Sequence, residues 1–384
     1  MLSGNVVRFA LGELHSIILK QDGSVWSTVI YFNGDHISFN SKSEAFVQVI
    51  PRSVMAVAAG NGYSVALKQD GSVWSMGRNF RGQLGDGTKY KKDTFVFVGV
   101  IDGAKTVAAG SYHSMLLTEA GQVWTTGWNK HGQLGDSIKS YTTRFFIVII
   151  DGAKAIAAGN FHSIVLKQDG SVWAAGQNNK GQLGDGWKVD RKCFVSVMSS
   201  GAVAVAAGGC HSMVLKEDGS VWATGCNAYG QLGDGLKTDR IKYVQAFSSG
   251  ATSVAAGKQH SMILKQDGSL WVAGYNEVGQ LGAGSKTGTN KFIQVIPDGV
   301  KSVAAGGYHS MVLKQDDSIW STGSNADGQF GVGWKTTYKY FIQIDPFGDG
   351  THHQMHMHMP SCFPQYCIAF HTICRSYPCI FTSI

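Results

Sequence analysis

The sequence predicts an all-β protein: a seven-bladed β-propeller of ~49-residue repeats with a C-terminal extension. Three observations carry that prediction. The phrase AAGxxHSxxLKxDGSxW recurs along the chain, with tryptophans at Trp26, Trp74, Trp124, Trp173, Trp222, Trp271 and Trp320, spaced 48 to 50 residues apart. Each unit reads as about four short strands without a helical pattern, and four strands at this period make one propeller blade. Finally, 50 of 384 residues are glycine but only six are proline, which excludes collagen and Pro/Gly-rich disorder and leaves a chain of turns.

The unit at 203–249 justifies the strands in order. Val203 to Ala207 is a run of small residues ending at Gly208, and His211 to Lys216 alternates. Asp218-Gly219 predicts a type I′ hairpin, which needs positive φ at both central positions, before the strand opening at Ser220-Val221-Trp222. Asn227 to Gly235 is too glycine-rich for a helix and reads as a loop; a fourth strand follows at Tyr243 to Phe247. Seven such units fill residues 1–346, and 347–384 form a separate tail. The first unit departs from the rest: after Trp26 it reads STVIYFNGDHISFNSKSEAF with no GQLGDG, which points to a decayed loop before a specialised one.

Residues that recur in every unit invite chemical readings, and most of these fail on spacing. The GQLGDG glycines, such as Gly82, Gly85 and Gly87 or Gly181, Gly184 and Gly186, fit neither a P-loop nor a dinucleotide fingerprint, so positive-φ turns are expected. The tryptophans follow a hairpin at fixed register, which suits packing between adjacent blades. His15, His113, His162, His211, His260 and His309, with Tyr63 at the seventh place, lie one per blade and cannot converge on one metal. Each is expected to fix a backbone group within its own blade. No catalytic constellation and no cofactor motif stands out, so a non-enzyme is expected.

Charge is the feature that separates one end of each unit from the other. The net charge is +7, and a basic stretch follows each GQLGDG-like segment: Lys89, Lys91 and Lys92; Lys139 and Arg144; Lys188, Arg191 and Lys192; Lys237, Arg240 and Lys242; Lys286 and Lys291; Lys335 and Lys339. These windows hold fifteen of the 33 basic residues against three acids, and a common register should gather them into one arc, partly offset by Asp86, Asp136, Asp185 and Asp234. Trp187 and Trp334 lie within the stretches as candidate anchors. A solvated loop face is the plain alternative. The functional reading is a cationic rim for an acidic protein, nucleic acid or anionic lipid.

The tail changes composition, with THHQMHMHM at 351–359 and then Cys362, Cys367, Cys374 and Cys379. Its cysteine gaps do not match common zinc modules, so an unpatterned extension is expected over a metal site. Cys193, Cys210 and Cys226 fall at non-equivalent places and form no repeated disulfide framework. No apolar run reaches the ~18 residues of a membrane span. A cytoplasmic or nuclear monomer is expected.

The repeat AAGxxHSxxLKxDGSVWxxGxNxxGQLGDG resembles that of the regulator-of-chromosome-condensation family of seven-bladed propellers, over about nine-tenths of the chain. The resemblance implies the propeller fold and several roles: nucleotide exchange on a small GTPase, chromatin attachment, targeting of ubiquitin ligases, or a protein-interaction scaffold. The family's exchange factor uses a loop that interrupts the repeats and a basic N-terminal arm. Here the units are nearly uniform and the chain enters the first blade at once, and its 384 residues leave no ligase domain expected. A scaffold binding an acidic partner is therefore the leading expectation, and a GTPase exchange factor or regulator the alternative. A light sensor like the family's plant UV-B photoreceptor would need tryptophans clustered with arginines at a dimer face.

Overall fold

The computed structural model describes residues 6–28, 31–33, 36–38 and 45–347. Seven four-stranded antiparallel sheets make up a seven-bladed propeller, each in chain order and each drawn from a single repeat; no helix occurs among the described residues. In the unit analysed above the strands are Ala202–Ala207, His211–Lys216, Val221–Gly225 and Arg240–Phe247. The fourth begins earlier than predicted. Gly225 pairs with Arg240 across a register shift, so the end of each basic stretch joins the blade's outer edge.

The hairpin between second and third strands is not the predicted type I′ turn. Only Gly219 has positive φ (74°), while Gly219 N–H bonds to Lys216 O at 3.0 Å and Lys216 N–H to Ser220 O at 2.9 Å. This is a three-residue loop, a tight turn closed by one left-handed residue. In the seventh blade that residue is Asp317, at φ 62°.

Alternating strand directions sort the connections into two ends. Hairpins and inter-blade links lie at one end; first-to-second turns and the long GQLGDG loops lie at the other, here termed the long-loop face. The innermost strands crowd around the axis, which explains their alanines. Ala109, Ala158, Ala207 and Ala256, with the glycines after them, border a central opening of about 80 Å³. A Cβ on Gly208 would collide with the His211 ring and with the carbonyl of Gly257 in the next blade.

Apolar clusters fill the seams between blades. Trp26, Trp74, Trp124, Trp173, Trp271 and Trp320 each pack into a cluster containing residues of the preceding blade, as their register predicted. Most are half-buried: each repeat indole N–H meets a side chain two residues back, Ser220 Oγ at 3.0 Å for Trp222, and Lys216 covers that ring at 4.4 Å.

The histidines correct a sequence expectation. They bridge blades and do not fix a backbone group in their own. His211 Nε2 lies 2.9 Å from Ser261 Oγ in the next blade, and Ser261 Oγ donates to Gln231 O at 2.7 Å. That serine has one proton and gives it to the carbonyl, so the histidine must be the donor through Nε2–H. The link recurs around the ring and closes it, with His309 Nε2 2.9 Å from Ser16 Oγ. Tyr63 keeps the connection to the next blade by donating to His113 O, with its Oη 3.2 Å from Ser114 Oγ, whose own proton goes to Gln83 O at 2.7 Å. Closure also uses Gly307 N–H to Gly12 O at 3.0 Å and an apolar seam containing Phe9, Phe46, Met311 and Phe330.

In the first blade, the stretch read as a decayed loop carries a two-stranded ribbon, Tyr31–Asn33 with His36–Ser38. The tail residues 351–359 and Cys362, Cys367, Cys374 and Cys379 lie outside the described residues. Cys210 and Cys226 are free thiols just beyond the ends of adjacent strands, flanking the His211–Gly225 pair. Their mutual hydrogen bond lowers the pKa of Cys226 and raises that of Cys210.

Candidate interaction face

The long loop is built by its own polar residues. Asn178 is fully buried; its Oδ1 accepts Leu183 N–H at 3.0 Å, and its Nδ2 donates to Asp185 Oδ1 at 2.8 Å and Trp187 O at 3.0 Å. Gln182 Oε1 accepts Lys180 N–H at 2.9 Å. Gly181, Gly184 and Gly186 have φ of 80°, 79° and 90°, the expected positive-φ turn. The turn also reaches the next blade, where Asp185 bridges to Lys242.

The predicted cations divide into two groups. Arg191 Nε donates to Asp185 at 2.6 Å, Arg240 to Asp234 at 2.7 Å, and Lys92 lies 3.4 Å from Asp86. Lys139 lies 4.0 Å from Asp136, and Lys91 3.7 Å from Asp93. The loop aspartates thus offset one cation each, as their position suggested. Burial works against ionisation of Asp86, but hydrogen bonds from Thr88, Asn79 and Lys92 hold its carboxyl below the ordinary value. The acids within the windows are also engaged: Asp190 pairs with His131 at 2.7 Å and Asp239 with Lys180 at 3.4 Å.

The second group projects outward. Lys188, Lys237, Lys242, Lys335 and Arg144 are exposed, Lys89 lies over the Tyr141 ring at 3.4 Å, and Lys339 over Tyr340 at 5.6 Å. Trp187 stands 63% exposed beside them. Trp334 differs: it is half-buried against the seam between blades seven and one, with its N–H 3.2 Å from Tyr338 Oη. Its equivalence to Trp187 in sequence hides this, because only the seventh loop meets the first blade.

Aromatic residues on this face were missed. Tyr112, Trp128, His131 and Phe161 pack as one group, with centroids 5.6 to 5.9 Å apart, and Tyr229, Tyr275 and Tyr308 as another, at 4.9 and 6.1 Å. Their signal was present: Tyr112, Phe161 and Tyr308 stand just before the repeat histidine, a place that varies where its neighbours recur. Exposed apolar side chains mark the long loops of blades two to five, among them Phe80, Tyr90, Ile138, Val189, Tyr229 and Leu236.

Between blades two, three and four these features enclose a pocket of about 500 Å³. Phe80, Trp128, Ile138 and Tyr141 supply its apolar wall, and Arg81, Lys89, Lys130, Lys139 and Lys192 its cations, with Asp136 as the carboxylate. Among the described residues, three His, Cys, Asp or Glu side chains do not come together as a metal site anywhere, and no helix is long and apolar enough to cross a membrane.

Comparison with known proteins agrees with this architecture. The family described as the RCC1-like domain matches residues 1–291, and the regulator of chromosome condensation (RCC1) repeat matches residues 300–329. No curated protein matches the chain. Among solved structures, human WBSCR16 superposes with a TM-score of 0.73 at 21% identity, over 83% of this chain and 89% of that one. Yeast RCC1 (Prp20), solved bound to Kap60, gives 0.70 at 22% identity, over 79% and 78%. Prp20p from Saccharomyces cerevisiae, reported with its binding properties to Gsp1p and histones, gives 0.67 at 24% identity, over 76% and 77%. At these identities the likeness shows the fold.

Proposed function

Because this chain belongs to the family of RCC1-like domains, we propose that it is a non-enzymatic interaction module that binds an acidic protein partner through its long-loop face. One observation carries the reading: on blades two to five, exposed cations stand among exposed apolar side chains at the same end of the disc, Lys89 beside Tyr90 and Lys188 between Trp187 and Val189. A solvated face made only for solubility has no use for an indole 63% exposed. Charge would steer the partner, and the apolar groups would hold it once docked. At the opposite end each hairpin sets a carboxylate beside a lysine, Asp70 with Lys68, Asp169 with Lys167 and Asp218 with Lys216, so charge there is balanced within the hairpin.

Affinity for a protein captured from the native source should fall steeply from low to physiological salt, and Lys188→Glu with Lys237→Glu should weaken it further. A flat salt response would sink the proposal. The alternative, exchange or regulation of a small GTPase, draws on the family and on the reported binding of Prp20p to Gsp1p. A nucleotide-release assay against Ran-like and Rab-like GTPases separates the two, since clear acceleration would replace the scaffold reading.

A further inference from the structure

We propose that the pocket between blades two, three and four is the anchor point of the long-loop face, taking one apolar side chain of an acidic peptide while its lysines and arginine bind the flanking carboxylates. This rests on the reading of that face as the interaction surface and adds where specificity resides. The volume of about 500 Å³ suits one or two side chains and their backbone. Its charge is unbalanced. Asp136 is occupied by Lys139 at 4.0 Å, whereas Arg81, Lys89, Lys130 and Lys192 make no ion pair among the described residues. Lys192 Nζ instead donates to the Lys130 carbonyl, which holds its charge against the third blade's loop.

The geometry also favours a peptide over a nucleic acid. Single-stranded nucleic acid is held by bases stacking on open aromatic faces. Here two of the pocket's three rings, Trp128 and Tyr141, are covered. Arg81 lies over Trp128 at 4.9 Å and Lys89 over Tyr141 at 3.4 Å, while Tyr112 and Phe161 pack edge-on against Trp128. What remains is hydrocarbon: ring edges, the Phe80 ring at 48% exposure and Ile138, 90% exposed at the pocket mouth. Such a lining accepts a leucine-like side chain. The cations over the rings are then within reach of carboxylates on either side of it.

The test uses the full chain and fluorescein-labelled probes in a polarisation titration at low salt. One probe is a short peptide of glutamates around a central leucine, the second has glycine at the centre, and the third is an oligothymidylate of equal charge. The leucine peptide should bind about tenfold or more tighter than the glycine peptide. Ile138→Ser, at an exposed position, should remove that difference and leave the weak binding of the glycine peptide in place, whereas Lys130→Glu, which reverses one of the cations, should weaken both peptides. Equal affinity for both peptides, with binding still lowered by Lys188→Glu and Lys237→Glu, would overturn the pocket and leave the face reading standing. No binding of either peptide would overturn both. An oligothymidylate that binds tighter than the leucine peptide, and loses affinity in the pocket variants, would overturn the peptide assignment.

Discussion

Ser163 shows how much one small side chain holds in this molecule. It donates to Gln133 O at 2.6 Å and accepts from His113 Nε2–H at 2.9 Å, and both partners belong to the preceding blade and are fully buried. Ser163→Ala leaves a buried donor and a buried acceptor without partners, and each such loss costs about 1–3 kcal/mol. The variant should therefore unfold at a clearly lower urea concentration, by about 2–6 kcal/mol in all; an unchanged midpoint would show that the seam relaxes around the gap. Asp317 is the opposite case, a residue whose replacement should help. Its φ of 62° is the left-handed conformation that glycine holds at this place in blades two to six, and its pair with Lys301 at 2.9 Å is solvent-exposed. Asp317→Gly should raise stability by about 0.5–1 kcal/mol, since relief of the left-handed strain exceeds the entropy glycine gives up. A lowered melting temperature would mean that the Lys301 pair is worth more than an exposed pair ordinarily is.

At the scale of elements, the long loops follow the same logic with more at stake for the proposed face. Asn178→Ala removes the acceptor for Leu183 N–H and the donors to Asp185 Oδ1 and Trp187 O. A cost of about 1–3 kcal/mol is expected. Trp187 should also lose its fixed position, so faster backbone hydrogen exchange confined to residues 178–189 is the sharper readout, and a uniform change would argue against a local role. Strands and loops were legible in the sequence to different degrees. Strand periodicity and the GQLGDG glycines gave the blades and the positive-φ turns, because φ preference is a local property of glycine. The hairpin type was misread, since Asp-Gly serves a type I′ turn and a three-residue loop alike and only the backbone bonds of Lys216 tell them apart. The cationic stretches were found, but sequence could not say that Arg191 and Arg240 are bound to loop aspartates while Lys188 and Lys237 are exposed. That division depends on side-chain reach across a folded turn. The pocket was invisible for a stronger reason: Phe80, Trp128 and Lys192 come from three repeats and meet only when the blades stand side by side.

For the molecule as a whole, the His–Ser links set how the closed ring responds to acid. His15, His162 and His260 are lowered from 6.5 to about 4, and His113, His211 and His309 to about 3, in each case first through burial. Each Nδ1 is buried without a partner, so a second proton finds nothing to bond to. In the unfolded chain the same rings protonate as pH falls through 6.5. The folded protein therefore binds fewer protons than the unfolded one between about 6.5 and 4, and stability must fall with pH across that window. Above 6.5 the contribution is complete; below about 3 both states are protonated and the loss stops growing. Each histidine held neutral in the fold adds up to one proton to that slope, so six acting together should make stability fall steeply below pH 6.5, where most carboxylates are still ionised. Urea denaturation at intervals from pH 8 to 4.5 measures the slope. His211→Gln, which can still donate an amide N–H towards Ser261, should make it shallower by one proton while lowering stability at pH 8. A slope near zero down to pH 5 would mean that the buried rings accept protons in the native state, which the absence of a partner at Nδ1 argues against.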